Sequence, residues 1–370
     1  MTKATVFNSE NTGYLTGEYP LFLGQRLGLY DSIYVAYPKL LDFYKLQRSL
    51  RWTEDEVNLE QSRLDLLPMG RGGKSNPEEI DLMVKNLALL WELDSVASRS
   101  IIALLAPFIS NSEMTALATE WSAMEIIHAL TYSEILRQCV PDTKRAVEEV
   151  VKNDEVLGRS EIIINTFDNL ALAGAEYNAG RIKDSPELKA IIFKGMVGLY
   201  LLERVQFMSS FATIFAFAES GRCIGIAKLV QLICRDELAH AQFSSTVIGI
   251  LRSNPEWAEV YEDIKPELNQ MLEEVMQREF KWNSYLFSEG RKIIGLNELL
   301  LNEWVLHCAL DLATDLDLDF KWQRVEELPI RWMDNWIDFD KTQNANQEVD
   351  NTSYRMNMVA DDVDDEIFDI

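Results

Sequence analysis

Two of the chain's three histidines stand three residues after a glutamate, in stretches that read as long apolar helices. The first pair, Glu125 and His128, lies in WSAMEIIHALTY, Trp121–Tyr132; the second, Glu237 and His240, lies in RDELAH. At 3.6 residues per turn, positions i and i+3 share a face, so each pair aims a carboxylate and an imidazole in one direction. Two such pairs on two helices form half of a dinuclear metal cage, and that cage demands a bundle to hold it. Asp and Glu make up 60 of 370 residues. Chance alone would therefore produce the double motif about one time in ten, and the surroundings must carry the case.

The missing half is one lone carboxylate from each of two further helices. Asp94, in WELDSVASRS, precedes Glu125 by 31 residues, and Glu203, in YLLERVQF, precedes Glu237 by 34. These separations fit two helical hairpins, each giving one lone acid and one Glu-x-x-His. Both acids sit among apolar residues, where an unpaired charge is costly and coordination removes the cost. Taken singly, Glu203 could pair with Arg204 and Asp94 with Arg99; the six together favour a metal pair. Four carboxylates and two imidazoles suit iron or manganese better than the thiolate-rich sites of structural zinc.

The rest of the chain agrees with a helical body. No stretch alternates with period two, and Gly and Pro fall between the long runs, so the fold class is all-α. A first helix is expected over Tyr34–Leu50. A long one starts at Asn76–Pro77 and runs past Asp94 to Ala106–Pro107. The motif helix is capped by Ser112 and ends near Pro141. Further helices are expected from about Leu157 to Ala179, from Ser185 through Glu203 toward Phe217, over Gly221–Leu251, over Pro255–Phe287 and over Leu296–Leu316. Residues 1–30 read as an arm over the body and 31–340 as one helical domain. Residues 341–370, polar and then acidic, read as a flexible tail. GRGGKS at 70–75 lacks the spacing of a phosphate-binding loop.

The net charge of −25 argues against nucleic acid and anionic lipid as partners. Cys139, Cys223, Cys234 and Cys308 show no C-x-x-C, which suggests a reducing compartment without disulfides. The N-terminus lacks an apolar signal core, and IIALLAPFI is too short to cross a bilayer. The expectation is a soluble, cytoplasmic protein.

The ordered set LDSVASRS, WSAMEIIHALTYSEIL, LLERVQFMSSFATIFAFAE and LICRDELAH resembles the radical-generating small (beta) subunit of class I ribonucleotide reductase. The likeness extends from LFLGQRLGLYD and RWTEDEVNLE to QEVDNTSY in the tail. It implies a ferritin-like bundle, a homodimer, and two metal ions per chain held by Asp94, Glu125, His128, Glu203, Glu237 and His240. The ions would be iron, with manganese as the alternative, activated by an oxygen-derived oxidant. Tyr132 matches the family's radical tyrosine, one turn beyond His128, and Phe207, Phe211 and Phe215 would wall its pocket. Trp52 and Asp236 match the relay toward the large (alpha) subunit, and Tyr354 matches the redox tyrosine of the tail. Ile367, Phe368 and Ile370 would dock there. The implied activity is ribonucleoside-diphosphate reduction, completed in the separate large subunit. Ala129–Leu130 and a short stretch before Glu203 depart from familiar members and leave the subclass open. The rival readings are a stand-alone di-iron oxidase or hydroxylase and a ferritin-like metal-storage protein.

Overall fold

The computed structural model describes residues 7–17 and 19–338; Tyr354 and the tail residues Ile367, Phe368 and Ile370 lie outside them. The described residues contain no strand. Their helices are α1 (Gly13–Thr16), α2 (Pro38–Ser49), α3 (Glu60–Asp65), α4 (Pro77–Leu105), α5 (Ser112–Cys139), α6 (Thr143–Lys152) and α7 (Asp154–Asn178). They continue with α8 (Pro186–Leu201), a π-helical turn (Leu202–Gln206), α9 (Met208–Glu219), α10 (Ile224–Arg252), α11 (Pro255–Leu286), α12 (Glu298–Asp315) and α13 (Met333–Ile337).

Short polar residues set the starts of the long helices other than α10, because their side chains accept the first free backbone N–H groups. Asn76 caps α4 through a reciprocal box with Glu79: Glu79 N–H donates to Asn76 Oδ1 at 2.8 Å, and Asn76 N–H donates to Glu79 Oε2 at 3.0 Å. Asn111, rather than the expected Ser112, caps α5 by accepting from Met114 N–H at 2.9 Å. Asn153, Ser185, Asn254 and Asn297 cap α7, α8, α11 and α12 in the same way. The sequence pattern signals no element between Pro141 and Leu157. The structure places α6 there, capped by Asp142.

Helices α4 and α5 pack as a hairpin and form one side of the central bundle. The α8–α9 helix and α10 form the other, and contacts of α5 with α10 and of α4 with α9 close the ring. Helices α7, α11 and α12 cover the α8–α9 side, and α2 covers α5. Close approach of α7 and α8 needs Gly195, where an added Cβ would sit 2.6 Å from Leu170 Cδ2. The bidentate pair of Arg222 with Glu79, 2.8 Å for each arm, ties the start of α4 to the turn before α10. Residues 19–23 lie against the α4–α5 turn, with Leu23 N–H on Phe108 O at 2.8 Å and Ser110 N–H on Leu21 O at 2.9 Å. At the centre of the bundle Asp94, Glu125, His128, Glu203, Asp236, Glu237 and His240 are all fully buried.

Replacing Asn76 with alanine removes the Oδ1 acceptor of the α4 cap and leaves the main-chain N–H that donates to Glu79. We expect a loss of about 1 kcal/mol, read as a lower urea midpoint at unchanged m-value.

Candidate metal centre

Each of the four bundle helices delivers its acid from mid-length, where the backbone is held on both sides. Asp94 comes from α4, Glu125 and His128 from α5, Glu203 from the π-turn, and Glu237 and His240 from α10. They form two overlapping clusters, one of Asp94, Glu125, His128 and Glu237 and one of Glu125, Glu203, Glu237 and His240. Within each, one ligand atom per residue lies within 4.8 Å of the others. Glu125 and Glu237 belong to both, so they stand where bridging carboxylates would stand.

Both imidazoles face the two shared carboxylates. His128 Nδ1 is 2.8 Å from Glu237 Oε1 and 3.5 Å from Glu125 Oε2. His240 Nδ1 is 2.9 Å from Glu125 Oε1 and 3.2 Å from Glu237 Oε2. Ligand atoms about 3 Å apart are the edge length of an octahedron whose metal–ligand bonds are about 2.1 Å. Both oxygens of Asp94 and one oxygen of Glu203 are buried without a hydrogen-bond partner. Native interiors rarely leave such groups orphaned, and a concentration of them at one point is what a cation would satisfy. The donor set is hard oxygen and imidazole nitrogen, so the residues fit a pair of ions of the iron or manganese kind.

Electrostatics without a cation make the same point. Burial, then the charges of Glu237 and Glu125, push the carboxyls of Asp94 and Glu203 well above their ordinary range. Burial would also raise Glu125, but its contacts with His128 and His240 more than offset this and lower it to about 2. Burial opposes a charge on the imidazoles, yet the neighbouring carboxylates raise His128 well above its usual value and His240 to about 9. The site holds protons where ions would sit.

A second layer orients the first. Asp236 lies 3.3 Å from His128 Nε2 through Oδ2, which also accepts from Trp52 Nε1–H at 2.7 Å. Its other oxygen accepts from the Arg235 guanidinium at 3.1 and 3.0 Å. Burial would raise the Asp236 carboxyl, but His128, Arg235 and Trp52 hold it below the ordinary value. The Trp52 and His128 rings are 6.0 Å apart and nearly parallel. Trp121 Nε1–H donates to Glu125 Oε1 at 3.2 Å, and Ser244 Oγ–H to Glu203 Oε2 at 3.4 Å.

The structure thus brings the six candidate ligands together, with Trp52 and Asp236 beside them. Tyr132 is fully buried on the same helix as His128, its hydroxyl without a hydrogen-bond partner. Burial, then the charges of Asp94 and Glu237, push its phenol far above the usual range. Phe207, Phe211 and Phe215 are fully buried and stack in sequence at 5.6 and 6.4 Å. Sequence reasoning missed Trp121, Ser244 and Arg235 as supports. Trp121 stood one turn before Glu125 and carried that signal. It also missed the π-turn, which no Gly or Pro announces.

Comparison with known proteins gives a consistent result. A family model described as "Ribonucleotide reductase, small chain" matches residues 32–327. The ribonucleoside-diphosphate reductase 1 subunit beta of Salmonella typhimurium is 31% identical over 363 residues, 93% of each chain. The ribonucleoside-diphosphate reductase subunit beta of Haemophilus influenzae is 30% identical over 368 residues, 95% of each. Among solved structures, the R2 subunit from Clostridium botulinum superposes with a TM-score of 0.77 at 20% identity, covering 91% of this chain and 99% of that one. The dimanganese(II)-NrdF of Streptococcus sanguinis reaches 0.66 at 18% identity, covering 84% and 100%. At these identities the structures speak for the fold alone.

Proton displacement gives a direct check on the centre. Groups whose protonated forms are favoured must lose protons before they can ligate, so Mn(II) uptake should release protons and tighten as pH rises toward about 9, the value of His240. Calorimetric titration in buffers of different ionisation enthalpy measures both. Proton-neutral uptake with a flat pH profile would contradict the assignment.

Proposed function

The chain belongs to the ribonucleotide reductase small-chain family, and from that premise we propose how its own residues perform the small subunit's share of ribonucleoside-diphosphate reduction. It is an oxidoreductase subunit whose partner is the large subunit. The single observation that carries the detailed reading is the pair of buried clusters sharing Glu125 and Glu237. In this reading Asp94, Glu125, His128 and Glu237 hold one ion and Glu125, Glu203, Glu237 and His240 the other. Iron is the ion proposed, with manganese the alternative that the same donors accept.

Two ions held there, activated by an oxygen-derived oxidant, would supply the one-electron oxidising power that acts on Tyr132. The chain's part is to make the resulting phenoxyl form and last. Tyr132 contributes a phenol that no hydrogen bond ties down and no water reaches. Oxidation removes one electron and the hydroxyl proton together, and Asp94 is the charged side chain that acts most strongly on that hydroxyl. Phe207, Phe211 and Phe215 exclude reductants with apolar surface.

The route outward begins at His128. Asp236 Oδ2 faces both His128 Nε2 and the Trp52 indole N–H, so one carboxylate oxygen couples the centre to a tryptophan near the surface. We assign Trp52 and Asp236 to this relay and Tyr354 to its continuation in the tail. Residues 341–370 would dock on the large subunit through Ile367, Phe368 and Ile370. We further propose a homodimer, for which Ile126 and Leu130, exposed one turn apart on α5, offer apolar surface. We also propose a cytoplasmic location; no described helix is long and apolar enough to cross a membrane. A stand-alone oxidase or a storage protein is not favoured, because the matched relatives are reductase beta subunits.

Two variants test this reading. Tyr132→Phe should bind metal as before and lose the tyrosyl signal in low-temperature electron paramagnetic resonance; an unchanged signal would refute the radical assignment. Truncation after Lys341 should leave the radical intact and abolish nucleotide reduction with the large subunit, and undiminished turnover would refute the docking role.

A further inference from the structure

Glu203 is the one candidate ligand that does not stand on a regular α-helix. It lies in the π-turn Leu202–Gln206, closed by an i→i−5 bond from Phe207 N–H to Leu202 O at 3.2 Å, after which α9 resumes with Phe211 N–H on Phe207 O at 3.0 Å. The extra residue turns everything after it by about 100° relative to a continuous helix. A wide turn of this kind is poorly stable by itself and needs outside partners.

Those partners are unusually well built. Arg159, on α7, donates from Nη2 to the main-chain oxygen of Gln206, to Ser209 Oγ at 3.1 Å and to Glu279 Oε2, and from Nε to Glu279 Oε1 at 2.5 Å. Its Nη1 reaches Ser210 Oγ at 3.4 Å. Gln206 answers by donating Nε2–H to the main-chain oxygen of Arg159 at 3.0 Å. Glu279, on α11, also accepts from Ser209 Oγ at 3.4 Å. From α12, Trp304 Nε1–H donates to the main-chain oxygen of Met208 at 2.9 Å. Arg159 and Glu279 are both essentially fully buried. A dry ion pair does not outdo an apolar pair of equal volume in stability, so its presence calls for another use. Here the pair grips the main chain three residues beyond Glu203, from two helices that supply no candidate ligand.

We propose that Arg159 and Glu279 are positioning residues for Glu203: their ion pair fixes the π-turn and so places the Glu203 carboxylate in the second metal cluster. This rests on the reading of Glu203 as a ligand. The first cluster, of Asp94, Glu125, His128 and Glu237, draws on α4, α5 and α10 and is independent of the lock. The effect of losing the lock should therefore be selective for one ion.

The test is titration of the full-length apo-protein with Mn(II), followed by calorimetry and electron paramagnetic resonance. Wild type should take two ions per chain and give the signal of an exchange-coupled pair. The double variant Arg159→Met/Glu279→Leu keeps the volume and leaves no unpaired charge. It should bind the first ion within about twofold of wild type, weaken the second by about tenfold or more, and show the six-line signal of isolated Mn(II). Arg159→Lys, which keeps the charge but loses the prong to Gln206, should shift the second ion in the same direction. Wild-type affinities and a coupled signal in the double variant would overturn the proposal, as would equal loss of both ions or loss of helicity in both variants. Glu203→Ala is the separate control. If it still binds two coupled ions, the ligand reading itself fails, whatever the lock variants do.

Discussion

Four carboxylates brought to one dry point are the constraint on which the rest of the molecule depends. Asp94, Glu125, Glu203 and Glu237 are fully buried with only two imidazoles between them. Burying an unpaired charge costs several kcal/mol, and Asp94 and Glu203 respond by holding their protons. A centre so unfavourable by itself is suited to a pair of cations. Long helices follow from this, because each ligand must project from a mid-helix position that cannot fray. The many asparagine and serine caps follow in turn, since long helices expose many terminal N–H groups.

The same constraint explains the polar layer outside the first. Asp236 is held ionised by His128, Arg235 and Trp52 despite complete burial. It fixes the His128 ring with Nδ1 toward the cage, as an outer carboxylate does for a ligating histidine. By lying between His128 and Trp52 it also joins the proposed ligand and the proposed relay in one piece of structure. Trp121, bonded to Glu125, lies 5.3 Å ring to ring from His240 and meets Phe243 edge-on. One side chain thus aligns a shared carboxylate and packs the wall of the site.

Much of this was legible in the sequence. The three-residue spacing of Glu125–His128 and Glu237–His240 is a direct image of helix geometry, and the lone acids Asp94 and Glu203 announced themselves by standing charged in apolar runs. Helix limits were readable where Pro or Gly stood, as at Pro77, Pro186 and Pro255. They slipped where two cap-capable residues adjoined: Asn111 took the cap, and Ser112 Oγ turned instead to Leu29 O, 3.4 Å away. Helix α6 was unread because polar residues after Pro141 resemble a loop. The π-turn had no local signal, because its cause lies in Arg159 and Glu279, 44 and 76 residues from Glu203 in the chain. Arrangements enforced by distant partners are the ones a periodicity reading cannot reach.

The central claim is that the two clusters hold a pair of ions bridged by Glu125 and Glu237. Anomalous diffraction from crystals of the iron-loaded protein, collected at the iron edge, tests it most directly. Two peaks per chain are expected, one ligated by Asp94 and His128 and the other by Glu203 and His240, with both glutamates between them. A single peak, or density at neither cluster in protein shown to contain iron, would contradict it.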